Sequence, residues 1–384
     1  MQLLFESLFN GVAIGSVLLM AALGLAIVFG LMGVINLAHG ELIMLGAYTT
    51  YVVQLIFKLP LLAPIYNAYV LVAIPCAFVV SGVVGILLER TVIRRLYGSP
   101  LETLLATWGV SLILQQFVRS VPLAYAAGMV LFLVLGFSVP LFLPKHLLEG
   151  RQSRFVRLGG WAVSAFIGVL FAGGLASQIS RIAKATSRNV DVTAPKWMRG
   201  GLEWMDLTFP VPRLVIIVMT LIAVVGVIWF LNRSVWGIRI RAVTQNRSMS
   251  DCLGIPTDTV DVLTFGIGSG LAGVAGVAVS LLGSVGPNVG TSYIVGCFMV
   301  VVLGGVGNLF GTVLASFAIG LLTDLIGAGR LLTIWPDMPG PLAGGVEFFA
   351  TTSMAQVMVF ALIVVFLQFR PSGLFPQKGR MVEA

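Results

Sequence analysis

The run LVIIVMTLIAVVGVIWFL, from Leu214 to Leu231, is apolar on every side. It has neither the apolar stripe of a surface helix nor the alternation of a half-buried strand. A helix of about 20 such residues crosses a bilayer. Runs of this kind recur along the chain, near 7–30, 40–58, 65–88, 104–119, 121–143, 159–177, 213–232, 259–283, 291–306, 308–327 and 354–369. Charged residues make up only 10% of the chain, against roughly a quarter in a soluble domain. They are too few to cover a water-facing surface. A transmembrane barrel would alternate apolar and polar residues over about ten positions, which these runs do not. The expected fold is all-α: one polytopic transmembrane helical bundle over 1–384, with about 11 spans.

The basic residues give an orientation. They cluster at Arg90, Arg94 and Arg95, at Lys145 to Arg157, at Arg233 to Arg247, and at Arg370, Lys378 and Arg380. An even number of spans separates each cluster from the next, so all four can share the cytoplasmic side, as basic loops do. That places the N-terminus outside and the C-terminus in the cytoplasm. The stretch 178–212 then falls outside despite its own Lys and Arg residues. The net charge of +8 is explained by this bias and does not call for a nucleic acid. The start, MQLLFESLFNG, has no basic region ahead of its apolar run, so no removable signal peptide is expected.

Motifs for covalent chemistry are missing. There are two histidines, no HExxH and no phosphate-binding G-x-x-x-x-G-K-[ST]. The three cysteines, Cys76, Cys252 and Cys297, have no CxxC spacing, so neither a metal site nor a disulfide framework is expected. The GxGxxG at Gly268, Gly270 and Gly273 lies inside an apolar run with no preceding strand. With Gly266, Gly276, Ala272 and Ala275 it reads as a small-residue helix face, which lets membrane helices approach closely. The chain is not expected to be an enzyme or to bind a cofactor.

Two polar stretches stand out. GVINLAHGEL, Gly33–Leu42, links the first two spans. Gly33 and Gly40 are expected to permit a broken or tightly turned backbone, and Asn36 to satisfy the groups freed by it. His39 and Glu41 then shape a helix break at the inner mouth. GGVGNL, Gly304–Leu309, shares the pattern G-V-x-N-L, which suggests a distant internal repeat. The second stretch, Asn232–Val260, is basic. It is expected to form a short amphipathic helix near 241–254, with Ala242, Met249, Leu253 and Ile255 spaced among polar residues. Gly254 and then Pro256 fit its end. Such a helix on the cytosolic side needs a docking partner.

This segment resembles the cytoplasmic loop of ABC importer permeases, in particular those of the branched-chain amino-acid importer family. ALGLAIVFGLMGVINLAHGELIMLGAY (Ala22–Tyr48), LATWGVSLILQQ (Leu105–Gln116), VLGGVGNLFGTVLAS (Val302–Ser316) and FRPSGLFP (Phe369–Pro376) are similar to that family's motifs, in the same order. RRLYGSPLETLLATWGVSLILQQ (Arg94–Gln116) and NVDVTAPKWMRGGLEW (Asn189–Trp204) resemble its urea-transporter branch. The chain departs from the pattern between these motifs. The segment 117–188 is inserted, and its two apolar runs suggest an added helical hairpin.

The resemblance implies a membrane subunit of an ATP-driven importer serving nitrogen uptake, with urea as the first expected solute and branched-chain amino acids or short amides as the alternative. A passive urea channel needs no coupling loop and is disfavoured. The implied partners are a second homologous permease, two cytosolic ATP-binding subunits that hold ATP and Mg, a periplasmic solute-binding protein, and membrane lipid. Within the loop 233–258, Arg241, Asn246, Asp251 and Gly254 are the expected coupling residues. Asn36, His39, Gly40, Glu41, Thr107, Ser111, Gln115, Gln116 and Asn308 are the expected pathway or helix-break residues.

Overall fold

In lipid, every backbone N–H and C=O must be paired within its own segment, so the apolar runs become helices. The computed structural model describes residues 2–58, 60, 62–120, 128–129, 131–132, 135, 163–170, 172–174, 189–204, 207–330 and 350–375. Its helices include α1 Gln2–Met32, α2 His39–Phe57, α3 Tyr69–Thr91, α4 Pro100–Ser120, α5 Val211–Arg233, α6 Val235–Gln245, α7 Arg247–Cys252, α8 Thr257–Leu282, α9 Val289–Gly304, α10 Leu309–Gly327 and α11 Thr352–Phe369. A hairpin of β1 (Gly201–Trp204) and β2 (Leu207–Pro210) pairs antiparallel, with Leu202 opposite Phe209. The chain is an all-α polytopic bundle apart from this small hairpin.

Seven helices among the described residues are long and apolar enough to span a membrane: α1, α2, α3 with the turn before it, α4, α5, α8 and α10. α9 is apolar but only 16 residues long, and the apolar part of α11 is comparably short. The expected span 121–143 lies mostly outside the described residues, whereas in 159–177 residues 163–170 and 172–174 are described and helical, a shorter apolar helix than a full span. Within the expected insertion, Phe117–Ser120 belongs to the end of α4. A Cβ on Gly128 would stand 2.6 Å from the Gly168 carbonyl, so these two glycines face each other.

The bundle's axis is α1, α2 and α8, which are almost wholly enclosed, whereas α4 and α5 keep most of their surface open. Lipid offers no hydrophobic gain for bringing two helices together, so close packing must do it. α8 packs through its small residues, but on three sides rather than one face. Gly266 and Gly273 meet Gly82, Ala77 and Ser81 of α3. Gly273 and Gly276 meet Gly46 and Ala47 of α2. Gly268 meets Gly24 of α1. A Cβ on Gly46 would lie 2.6 Å from the Gly273 Cα. The two backbones therefore touch.

The two G-V-x-N-L turns use the same backbone device. Gly33 has φ +70° and Gly305 has φ +100°, values at which a side chain is strained. Their N–H groups close the helices before them on Phe29 O (3.0 Å) and Val301 O (3.1 Å), the bond of a left-handed helix stop. Three residues on, Asn36 Oδ1 accepts from Ala38 N (3.0 Å) and Asn308 Oδ1 from Gly311 N (3.2 Å). The turns also meet, since a Cβ on Gly30 would stand 2.7 Å from the Gly307 Cα. Asn308 caps α10, so Asn308→Ala is expected to cost about 1 kcal/mol and lower the thermal unfolding midpoint of the purified chain. An unchanged midpoint would remove the capping role.

Three basic clusters gather at one end of the bundle. Arg94 pairs with Asp258 at the foot of α8, α6 and α7 follow the end of α5, and the chain after Arg370 folds onto Leu303 and Gly305 through Leu374 N and Gly373. The stretch 189–210 lies at the opposite end, where Gln54 Nε2 and the Tyr69 hydroxyl both donate to Thr193 O at 3.0 and 2.8 Å.

Candidate functional site

α4 carries a polar residue every fourth position: Thr103, Thr107, Ser111, Gln115 and Arg119. That spacing sets each beside the next on the helix surface, in a file that winds slowly about the axis, while Leu101, Leu105, Trp108 and Leu112 stay exposed. The polar file lies against the first turn of α2. Thr107 Oγ1 accepts from Leu37 N at 3.2 Å. Ser111 Oγ and Gln115 Nε2 both donate to Glu41 Oε1, at 3.0 and 3.1 Å. Arg119 donates to Asn288 Oδ1, just before α9. Glu41 is buried, and among the described residues its Oε2 has no hydrogen-bond partner.

His39 is fully enclosed, with Nε2 at 3.0 Å from Ala21 O. The imidazole fits because Gly24 has no side chain: a Cβ there would stand 2.8 Å from the ring. Ala21 lies fifteen residues along α1 from Glu6, roughly 22 Å of helix, so α2 begins deep inside the bundle. A carboxylate at such depth is costly unless it has a task or a partner.

Gly40 does not break a helix. It is the second residue of α2, and its reason is space. A Cβ there would lie 2.8 Å from the Gly290 carbonyl carbon. The positive-φ turn is made by Gly33 alone. The structure thus brings together Asn36, His39, Gly40, Glu41, Thr107, Ser111 and Gln115. It leaves out Gln116, which is exposed and donates to Ser120 on its own helix. Asn308 sits apart at the second turn, with Nδ2 3.3 Å from Phe375 O.

At the basic end, the expected helix near 241–254 is two helices. Asn246 breaks it in an extended conformation, φ −155°, and its side chain accepts from Met249 N at 2.9 Å to start α7. Gly254, at φ +80°, ends the segment, and Asp251 pairs with Thr257 at 3.4 Å. Arg241 turns back to Asn232 (3.2 Å). It lines, with Asn308 and Phe310, a cleft of about 640 Å³ between α1, α5, α6 and α10. Of the four expected coupling residues, three therefore shape α7 and one faces this cleft. α7 buries only Ser250 and leaves the rest open: among its exposed polar residues, Met249 and, just past its end, Leu253 stand one turn apart, 59% and 74% exposed.

α7 thus places two exposed apolar side chains, Met249 and Leu253, at the basic end of the bundle. Compared with known families, residues 7–367 match the one described as branched-chain amino acid transport system / permease component. The chain belongs to that family. The permease is 26% identical over 370 residues to the high-affinity branched-chain amino acid transport system permease protein LivH of Escherichia coli (strain K12), covering 96% of this chain and 94% of the relative. It is 24% identical over 371 residues to the corresponding BraD protein of Pseudomonas aeruginosa, with the same coverage. The autoinducer 2 import system permease protein LsrC of Salmonella paratyphi B is 23% identical over 290 residues, covering 71% of this chain and 81% of the relative. No solved structure matches it. The permease is the membrane component of an ABC importer and a multi-pass protein of the bacterial inner membrane.

Arg247 was invisible as a site residue in the sequence. Its partners are eleven and fourteen residues further on at Asp258 and Asp261, and far away at Tyr97. The one available signal was a carboxylate one turn after Asp258 at the start of a long apolar run.

Proposed function

We propose that the permease imports branched-chain amino acids, working with a second homologous permease, two cytosolic ATP-binding subunits that hold ATP and Mg, and a periplasmic solute-binding protein. The observation that carries the importer reading is α7. It is capped at one end by Asn246, stopped at the other by Gly254, and presents Met249 and Leu253 outward. A passive channel has no use for such an element. The basic end is then cytosolic, and the loop at 189–210 faces the binding protein. The names of the relatives support the solute class.

The Glu41 region supports a solute that carries N–H groups. Oε1 is held by Ser111 and Gln115, and Oε2 remains to accept a hydrogen bond. An amino acid's ammonium group meets that need, and charge-assisted bonds of this kind are strong. Urea meets it as well, more weakly. It is kept as a second reading because Arg94–Gln116 and Asn189–Trp204 resemble the urea branch.

The deciding experiment reconstitutes the permease with its partner permease, ATP-binding subunits and binding protein in liposomes, and follows labelled leucine and urea. ATP-dependent leucine uptake without urea uptake is the expected result. The reverse selectivity replaces branched-chain amino acids with urea. Uptake of either solute without the ATP-binding subunits overturns the importer mechanism in favour of a channel.

A further inference from the structure

Five charged side chains and one tyrosine meet where α7 joins the bundle. Arg247, the first residue of α7, places Nη2 2.7 Å from Asp261 Oδ2 and 3.8 Å from Asp258 Oδ1. Its guanidinium lies 4.8 Å over the ring of Tyr97. Arg94 binds Glu89 through Nε at 3.2 Å and Asp258 through Nη1 at 3.4 Å. Glu89 lies in the last turn of α3, Tyr97 in the connection to α4, and Asp258 and Asp261 one turn apart at the start of α8. Glu89 is fully buried and Asp261 nearly so. A carboxylate in such a place is tolerated only when it is paired.

α7 has six residues and is bounded by the extended Asn246 and the left-handed Gly254. Its tie to the body by side chains is this cluster, with the Asp251–Thr257 bond beside it. Burial, together with the charges of Asp261 and Glu89, holds the Tyr97 phenol above its ordinary range. The ring therefore stays neutral beneath the guanidinium and keeps its cation–π contact.

We propose that Arg247 is the positioning residue that transmits movement of α7 into the bundle. It acts through Asp261 to α8 and through Tyr97 to the α3–α4 connection. This rests on the importer reading above. α8 cannot slip against α2, because Gly46 and Gly273 meet backbone to backbone. A push delivered at Asp261 therefore reaches the first turn of α2, where Glu41 stands. A push at Tyr97 reaches α4, whose polar file holds Glu41 from the other side.

The test uses the whole importer in liposomes and reads solute taken up per ATP hydrolysed. The unaltered complex must first show ATP-dependent uptake, and its failure there counts against the importer reading rather than this one. Arg247→Ala is expected to assemble and hydrolyse ATP while uptake per ATP falls about tenfold, within the usual range of coupling energies. Arg247→Lys, which keeps the charge, should recover part of the loss. Uptake per ATP unchanged in Arg247→Ala overturns the proposal. Should that variant fail to assemble, the ratio is read in Asp258→Asn and Tyr97→Leu. Asp258 is largely exposed, so its change spares the fold. A reduced ratio in either supports the proposal, and unchanged ratios in both overturn it.

Discussion

Gly40→Leu is expected to abolish uptake. At this position α2 and α9 touch through their backbones. A Cβ would lie 2.8 Å from the Gly290 carbonyl carbon and 3.1 Å from the Ile294 Cβ. The return contact is as tight, since a Cβ on Gly290 would meet Gly40 O at 2.6 Å and Glu41 Oε2 at 2.8 Å. The obstacles facing a side chain at Gly40, the Gly290 backbone and the Ile294 Cβ, are not the free end of a flexible side chain. The leucine must force the helices apart, at about 3 kcal/mol for overpacking, or roughly a hundredfold in any equilibrium that depends on their approach. Glu41 would then be displaced from Ser111 and Gln115. His39→Gln makes the contrast. An amide can still donate to Ala21 O, and an interhelical hydrogen bond is worth about 0.6 kcal/mol, so uptake should change by about threefold or less. Uptake in liposomes, measured beside the amount of assembled complex, checks both. An assembled but inactive His39→Gln together with an active Gly40→Leu would reverse the ranking.

The double change Met249→Asp with Leu253→Asp should separate the permease from its ATP-binding subunits while leaving the permease folded. Both side chains are exposed, so their loss costs the bundle no packing. At a protein interface, however, buried apolar anchors carry most of the binding energy. Replacing two of them with carboxylates is expected to cost at least 2 kcal/mol, about thirtyfold in Kd. Co-purification and ATP hydrolysis by the complex provide the readout, with the thermal midpoint of the permease as control. Intact co-purification and hydrolysis would place the docking surface elsewhere.

Much of this was legible in the sequence, for a physical reason. Lipid makes apolar length an unambiguous signal, so the runs at 7–30, 40–58, 213–232, 259–283 and 308–327 coincide with helices. The turn glycine Gly33 and the backbone-bonding Asn36 were legible because they act within a few residues of themselves; Asn308 stood out only as a helix-break candidate, and its capping of α10 came from the structure. Gly40 was misread because its role lies across space, against Gly290. The same holds for the α8 glycines. A one-dimensional pattern shows that they are small but not that they serve three neighbours. The helix near 241–254 looked continuous because its amphipathic spacing hides the side-chain cap at Asn246. Arg247 escaped because an ion pair between separate elements leaves no periodic trace.

The file of Thr103, Thr107, Ser111, Gln115 and Arg119 has a geometric consequence. Residues four apart lie about 6 Å from one another along a helix. Were α4 to advance by one turn past α2, Glu41 would leave Ser111 and Gln115 and meet Thr107 and Ser111, or Gln115 and Arg119, depending on the direction. Each is again a set of donors. The toothed edge of a rack behaves this way: it holds at discrete stations and is unfavourable between them. The glycine contacts of α2 with α8 and α9 have no second station, since no neighbouring residue could replace Gly46 or Gly40. One bundle therefore contains both a wall that can index by whole turns and a frame that can only stay closed.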